Sequence, residues 1–323
     1  VLTAQQANQG RASVLPSVLS THWQTVLAEA EHVPVQYTPS FIRYQESYFG
    51  IEDESQIFFN DNRPVAVWPF AVKDGWATSN GSEVLPPLFV AGLPERVQKH
   101  IITDCLNHLN GTLDRTGHNQ WWTNEVVRKD GISLWHRRVL EHGGEPYPAQ
   151  VELFVDLGWS YERIRTNIRK SYRSLLHSGK KDFDTILGMN IEPLHKLHIE
   201  VAGRITRSDE TWERQQEAVD AGEAFVVYLL DKAECIVGGA LFHRSRDEAA
   251  YAVGVYRRDL HDAPLGHLAQ AFAIEHMQVL GLRWYYLGLR AYEANEKELQ
   301  IAHFKEGWAT HSFPRVTACI HRK

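Results

Sequence analysis

The sequence predicts a two-domain α/β protein, with mixed sheets flanked by helices. Three observations carry this. The chain has 323 residues, more than one typical domain. Three β runs, "AFVVYLL", "CIVGGALF" and "AAYAVGVYRR", follow one another across the short turns Asp231–Glu234 and Ser245–Glu248, as antiparallel neighbours do. After them helix, strand, helix and strand alternate, which packs helices on a mixed sheet. The domains are expected at 1–150 and 151–323, with the main cleft in the second.

Taken in order, the first 20 residues are polar and expected to be mobile. "THWQTVLAEAEH" reads as a helix capped by Ser20 or Thr21, and "SFIRYQESYF" as a second. "QIFFNDNRPVAVWPFAV" is two β runs around Asn-Asp-Asn, hence a hairpin. "PERVQKHIITDCLNHL" is helical by its spacing of Val97, Ile101, Cys105 and Leu109. "QWWTNEVV" suggests a strand, "SLWHRRVLEHGG" a helix closed by glycine, and "AQVELFVDL" another strand. Trp159 to His177, Pro193 to Ile205 and "ETWERQQEAVDAGE" read as helices. Past the three β runs, Pro264 opens "LGHLAQAFAIEHMQVLG", which Gly281 ends. "RWYYLGLRAY" is a strand, "EKELQIAHFKEGW" a helix and "RVTACIHR" a final strand.

Composition narrows the function classes. The hydrophobic share is 43% and the charged share 23%, so the chain is an ordinary globular one. No apolar run approaches the length of a membrane span, and no basic region leads into an apolar block. Cys105, Cys235 and Cys319 are few, odd in number and far apart, against a disulfide framework and for a reducing cytoplasm. The net charge of −6 weighs against general nucleic-acid binding but leaves room for a local basic patch.

Such a patch is present. From Arg163 to Lys181 there are seven Lys or Arg residues and no acid. On a helix, Ile164, Ile168, Tyr172 and Leu175 make one stripe, with Arg165, Arg169 and Arg173 four apart on its flank. A solvated charged face accounts for this, and so does an anion site for a diphosphate or RNA backbone. Arginine suits the second because its planar fork grips phosphate oxygens in pairs.

Other constellations are weaker. Of seventeen histidines, His195 and His198 stand i, i+3 on a predicted helix, but no set has metal-ligand spacing with acids. No metal and no tightly bound cofactor is expected. No P-loop, nucleophile elbow or dinucleotide fingerprint occurs. "RRDLHDAPLGHLAQ", Arg257 to Gln270, ends a strand, crosses a loop and opens a helix, which can bind an anion at its N-terminus. "EVAGRITRSDETW" carries Arg204 and Arg207 at a helix end, where a capped connector is the bland alternative. In "AHFKEGW", Lys305 near a helix end can simply satisfy the last carbonyls.

Together "IRKSYRSLL", "EVAGRITR", "PLGHLAQAFAIEHMQVLG" and "KELQIAHFKEGW" resemble the FemAB-like family, relatives of the lipid II aminoacyltransferases within the GNAT superfamily. The likeness covers mainly 151–317. It implies tandem GNAT-like domains, in which two neighbouring strands splay and the acyl donor enters the gap. It also implies that Arg204 binds the phosphates of a nucleotide-linked acceptor. Lys305, in a segment resembling Phe-Lys-x-Gly-aromatic (Phe304, Lys305, Gly307, Trp308), would face the reacting carbonyl. Two departures stand out. No long helical arm for tRNA is present, and the first domain has no residues that match the acceptor site; separately, only Gly266 remains of the glycine-rich loop that GNAT enzymes using acetyl-CoA carry.

The expected activity is an acyl- or aminoacyltransferase that makes an amide on an amine of a phosphorylated or nucleotide-linked sugar or peptide. The donor is aminoacyl-tRNA or acyl-CoA, so tRNA is a candidate partner. Lys305 would stabilise the oxyanion, and His243, Tyr251 and Glu275 are candidates to take the amine's proton. Arg204, Arg207, Arg165, Arg169, Arg173, Arg258, Phe304, Tyr286 and Arg290 are the candidate substrate-binding residues. The alternatives are an acetyl-CoA-dependent N-acetyltransferase and a binding module that kept the fold without the chemistry.

Overall fold

The computed structural model describes residues 17–128, 131–290, 292 and 295–321. The expected mobile stretch lies outside the described residues up to residue 16. Two compact units divide the chain: Val1–Gln150 with Pro314–Lys323, and Val151–Phe313. The described part of this last segment, 314–321, assigned from sequence to the second domain, groups instead with the first unit.

In the first unit, α1 (Thr21–Glu29) starts where the Ser20 side chain accepts from the amide of Trp23. The helix α2 (Pro39–Phe49) ends at Gly50 in the left-handed region. Short strands follow: β1 (Glu52–Asp53), β2 (Gln56–Asn60), β3 (Arg63–Trp68), β4 (Ala71–Lys73), β5 (Trp76–Thr78) and β6 (Leu88–Phe89). They form two sheets, β1-β4-β5 and β2-β3-β6. The β2–β3 hairpin turns on Asp61 and Asn62, with φ of 48° and 64°, the pair of positive angles a two-residue hairpin needs. Next come α3 (Glu95–Thr116), β7 (Gln120–Val126), α4 (Leu134–Glu141) and β8 (Glu145–Asp156), whose end crosses into the second unit. Trp23, Trp68, Trp121 and Trp135 are fully buried in this unit's core.

The second unit continues with α5 (Tyr161–Asn167), α6 (Lys170–Gly179), β9 (Asp184–Gly188), α7 (Glu192–Ala202) and α8 (Asp209–Asp220). The three expected β runs are β10 (Ala224–Leu230), β11 (Ile236–Arg244) and β12 (Glu248–Tyr256), paired antiparallel. Then come α9 (Leu265–Val279), β13 (Trp284–Arg290), α10 (Glu296–Glu306) and the start of β14 (His311–His321). The later residues of β14 pair antiparallel with β7, from Arg315↔Val126 to His321↔Gln120. The unit's sheet runs β8-β13-β12-β11-β10-β9. One core gathers Ile164, Tyr172, Leu268 and Ile274 with sheet residues such as Val155 and Tyr285. A separate core holds Leu194, Trp212 and Val219 with Val226 and Val253. Successive residues of β10, Val226 and Val227, serve the two cores, as the period of two in a strand requires.

Two expectations fail here. The helix predicted from Trp159 to His177 is two helices, broken at Ile168 and Arg169, whose ψ angles of 156° and 134° are extended. Tertiary bonds outbid the local helical preference. The amide of Arg169 donates to the carbonyl of Gly307, and the side chain of Asn167 donates to Ala309. Arg165, Arg169 and Arg173 therefore do not make one helical stripe. The edge strand β9 was also not anticipated. Ile186 and Leu187 are both 43% exposed, so no buried alternation marks "DTILG" as a strand. Among the described residues no helix is long and apolar enough to cross a membrane.

Candidate functional site

The site starts from a break in the second unit's sheet. β12 and β13 pair in parallel at only three positions: Glu248↔Trp284, Ala249↔Tyr285 and Ala250↔Tyr286. Beyond these, β12 continues beside β11 and β13 beside β8. Each strand carries an irregularity just past the last shared pair. On β12, Val253 and Tyr251 oppose consecutive residues of β11, leaving Ala252 as the extra one. On β13, Gly288 and Tyr286 oppose consecutive residues of β8, leaving Leu287 extra. A bulge bends and twists its strand, so the two strands diverge. Each then leads to a helix, α9 after β12 and α10 after β13.

Lys305 stands at this divergence. It is half-buried in the last turn of α10, and its Nζ lies 2.8 Å from where a Cβ on Gly288 would be. The amides of Trp308 and Ala309 donate to the Lys305 carbonyl, so backbone rather than the ammonium closes the helix. Burial pulls the lysine's pKa below its ordinary value, and the charge of Glu152 opposes that fall. Glu152, on β8, is itself 5% exposed. Next to Lys305, Glu306 pairs with Arg290, whose guanidinium lies 4.0 Å from the centre of the Tyr292 ring.

An aromatic wall adjoins this position. Tyr172 of α6 meets His267 of α9 edge-on at 4.4 Å, and His267 meets Phe304 of α10 at 5.0 Å. Trp308 lies 5.6 Å from Tyr172. Burial, helped by the positive charge of Arg169, pushes the His267 pKa down to about 4, so the ring is neutral near pH 7. His267 Nε2 and Trp308 Nε1 are buried without a hydrogen-bond partner. Arg169 donates to the Tyr172 hydroxyl at 3.1 Å and lies 3.3 Å from His303 Nδ1.

The other predicted residues scatter. Arg165 faces Glu162 at 3.9 Å, and Arg173 donates to the carbonyl of Thr166 at 2.8 Å, so both serve α5 and α6. Arg204 is exposed just past Gly203, which ends α7 in the left-handed region. Arg207 lies 2.9 Å from His198 and 5.9 Å from the Trp212 ring centre. His195 stacks on the same Trp212 and His198 meets it edge-on, so the i, i+3 histidines pack around one indole. Among the described residues no group of three or more His, Cys, Asp or Glu could hold a metal ion. Arg258 is exposed on a single helical turn after β12, while its neighbour Arg257 pairs with Asp259 at 2.6 Å. Tyr286 lies 5.1 Å from Phe154 across the β13–β8 pair.

The three candidate bases differ sharply. His243 on β11 is fully buried, and burial pushes its pKa down to about 4. Glu275 is exposed on α9 and bonds Tyr161, whose phenol is raised by burial first and by that carboxylate second. Tyr251 lies on β12 just beyond the last pair shared with β13, with its phenol raised by burial. Sequence reasoning missed Glu152, Tyr172, His267 and Gly288 as members of this neighbourhood. Only the glycine inside "YYLGLR" left a signal, since glycine within a strand marks a bulge or a close approach.

Residues 162–305 match the acetyltransferase (GNAT) domain family. No curated protein matches the chain in sequence. Solved structures share its fold. One is FemX, at TM-score 0.71 and 11% identity over 92% of this chain and 95% of that one. Another is L-PGS from Bacillus licheniformis, at 0.60 and 14% over 93% and 91%. A tandem GNAT protein from the clavulanic acid biosynthesis pathway aligns at 0.56 and 14% over 99% and 98%.

Proposed function

Because residues 162–305 match the acetyltransferase (GNAT) domain family and the fold is that of FemX, we propose that the chain is an acyltransferase that makes an amide. It moves an acyl or aminoacyl group from an activated donor to an amine on a phosphorylated or nucleotide-linked sugar or peptide. The observation that carries this is the ammonium of Lys305 where β12 and β13 diverge. A donor carbonyl entering between the strands comes under that charge.

The chemistry then follows. The neutral amine attacks the carbonyl carbon, a C–N bond forms, and the carbonyl oxygen becomes an oxyanion facing Lys305. Collapse breaks the C–O bond of an ester donor, or the C–S bond of a thioester, and the amine's extra proton leaves. Stabilising the oxyanion with one well-placed donor is worth about 2.7–4 kcal/mol of barrier. His243 is too buried, and too weakly basic at about 4, to take the proton. Tyr251 holds its own proton too firmly. A relayed water passes it to the leaving oxygen or sulfur, and orienting the reactants supplies most of the remaining rate.

The donor reading leans away from coenzyme A. The first turn of α9 has only Gly266 of a glycine-rich phosphate-binding loop. FemX and L-PGS share the fold without showing which donor this chain takes. On the acceptor side, exposed Arg204, with Arg207 held against Trp212, offers cations for phosphates. A thermal-shift panel of acetyl-CoA, coenzyme A, aminoacyl-tRNA and UDP-sugars tests the proposal. A ligand at a hundred times its Kd stabilises by about 2.7 kcal/mol. Stabilisation by a UDP-sugar or aminoacyl-tRNA supports it; a response to acetyl-CoA alone favours the simple N-acetyltransferase.

A further inference from the structure

We propose that Gly288 and Glu152 form the seat of the Lys305 ammonium, the glycine by leaving room for it and the carboxylate by opposing its charge. This rests on the reading of Lys305 given above. Two demands meet at Gly288. Its φ of 98° is strained for any residue with a Cβ, and that Cβ would sit 2.8 Å from Lys305 Nζ, closer than such contacts come. The lysine is the flexible partner, so a side chain at 288 would drive the ammonium out of its place. The bulge at Leu287 sets this glycine just beyond the last pair that β13 shares with β12.

Glu152 supplies the second half. It pairs in register with Leu289, the residue after Gly288, and is 5% exposed. The charge of Glu152 acts on Lys305, whereas Glu306, the lysine's neighbour on α10, is engaged by Arg290 of β13. His303, also on α10, faces Arg169. The seat therefore keeps a half-buried amine cationic and holds it where the strands diverge. Gly288 and Glu152 are positioning residues; neither needs to touch a substrate.

The test uses the intact chain and no substrate. Trace acetylation by acetic anhydride across the lysine titration range, read by peptide mass spectrometry, reports the fraction of neutral Lys305 amine. Glu152→Gln is expected to move the Lys305 midpoint to lower pH by about one unit, the usual scale for losing a nearby opposite charge. Gly288→Ala is expected to raise Lys305 labelling severalfold relative to the exposed lysines, as the ammonium moves toward water. A Glu152→Gln midpoint equal to wild type, or Gly288→Ala labelling equal to wild type, overturns the seat. Should Glu152→Gln fail to fold, Glu152→Asp and Gly288→Ala decide the matter. The catalytic reading fails separately, through a Lys305→Met enzyme with full turnover, and that result leaves the labelling outcome untouched.

Discussion

The amide of Arg169 donates to the carbonyl of Gly307 at 2.9 Å, tying the break between two helices to the end of a third. The Tyr172 ring fills the space where Gly307 would carry a Cβ, and its hydroxyl donates to the Phe304 carbonyl at 3.2 Å. Gly307→Ala should therefore overpack this junction and cost about 1–3 kcal/mol. Urea unfolding measures it. A variant as stable as wild type would show that the junction yields freely.

Lys305→Met keeps the stem and removes the charge. Turnover should fall about 100-fold or more, equivalent to roughly 2.7 kcal/mol. Stability should change little, because backbone amides rather than this ammonium close α10. Steady-state kinetics with the donor and acceptor identified by the ligand panel, beside a melting curve, separate the two effects. Loss of activity only through unfolding would return the lysine to a structural role.

The basic residues should divide by their contacts. Arg204→Ala, exposed past the end of α7, should weaken binding of a UDP-sugar and lower its salt dependence. Arg173→Ala should leave binding alone and lose about 1 kcal/mol of stability, the worth of its bond to the Thr166 carbonyl. Titration calorimetry at two salt concentrations checks both. The reverse pattern would restore the continuous basic stripe.

His243 makes stability depend on pH in a definite direction. Burial holds it at about 4 in the folded protein, against an ordinary 6.5 when unfolded. Between these values the unfolded chain binds more protons, so the contribution is complete above 6.5 and is lost as pH falls toward 4. The slope is about 1.4 kcal/mol per pH unit, or about 2 kcal/mol by pH 5. His243→Gln should shrink the pH 7-to-5 loss by that amount in urea unfolding. An unchanged loss would mean that His243 is not neutral and buried.

The thiols offer a quick check on the cores. Cys105 and Cys319 are buried and Cys235 is exposed, with burial pushing Cys105 far up. Ellman's reagent should modify Cys235 rapidly in the native protein and all three thiols after denaturation. Rapid native modification of Cys105 would contradict the packing of α3.

What the sequence determined by itself was the material with a period or a stop signal. The three strands from Ala224 to Tyr256, the hairpin at Asp61 and Asn62, and the glycine end at Gly281 were legible because local chemistry decides them, whereas the helix read from Pro193 to Ile205 stops earlier, at Gly203. Lys305 was legible as a candidate from its motif, though not its surroundings. Tertiary structure decided the rest. A run with helical spacing broke at Ile168 because the Arg169 amide found a carbonyl in residue 307, and no local rule foresees a bond across that separation. "DTILG" became a strand because β10 offered an edge to pair with. The company of Lys305, with Gly288 from β13 and Glu152 from β8, comes from three elements far apart in the chain. Their meeting depends on where a pair of bulges makes β12 and β13 diverge, and register of that kind is set by packing rather than by residue type.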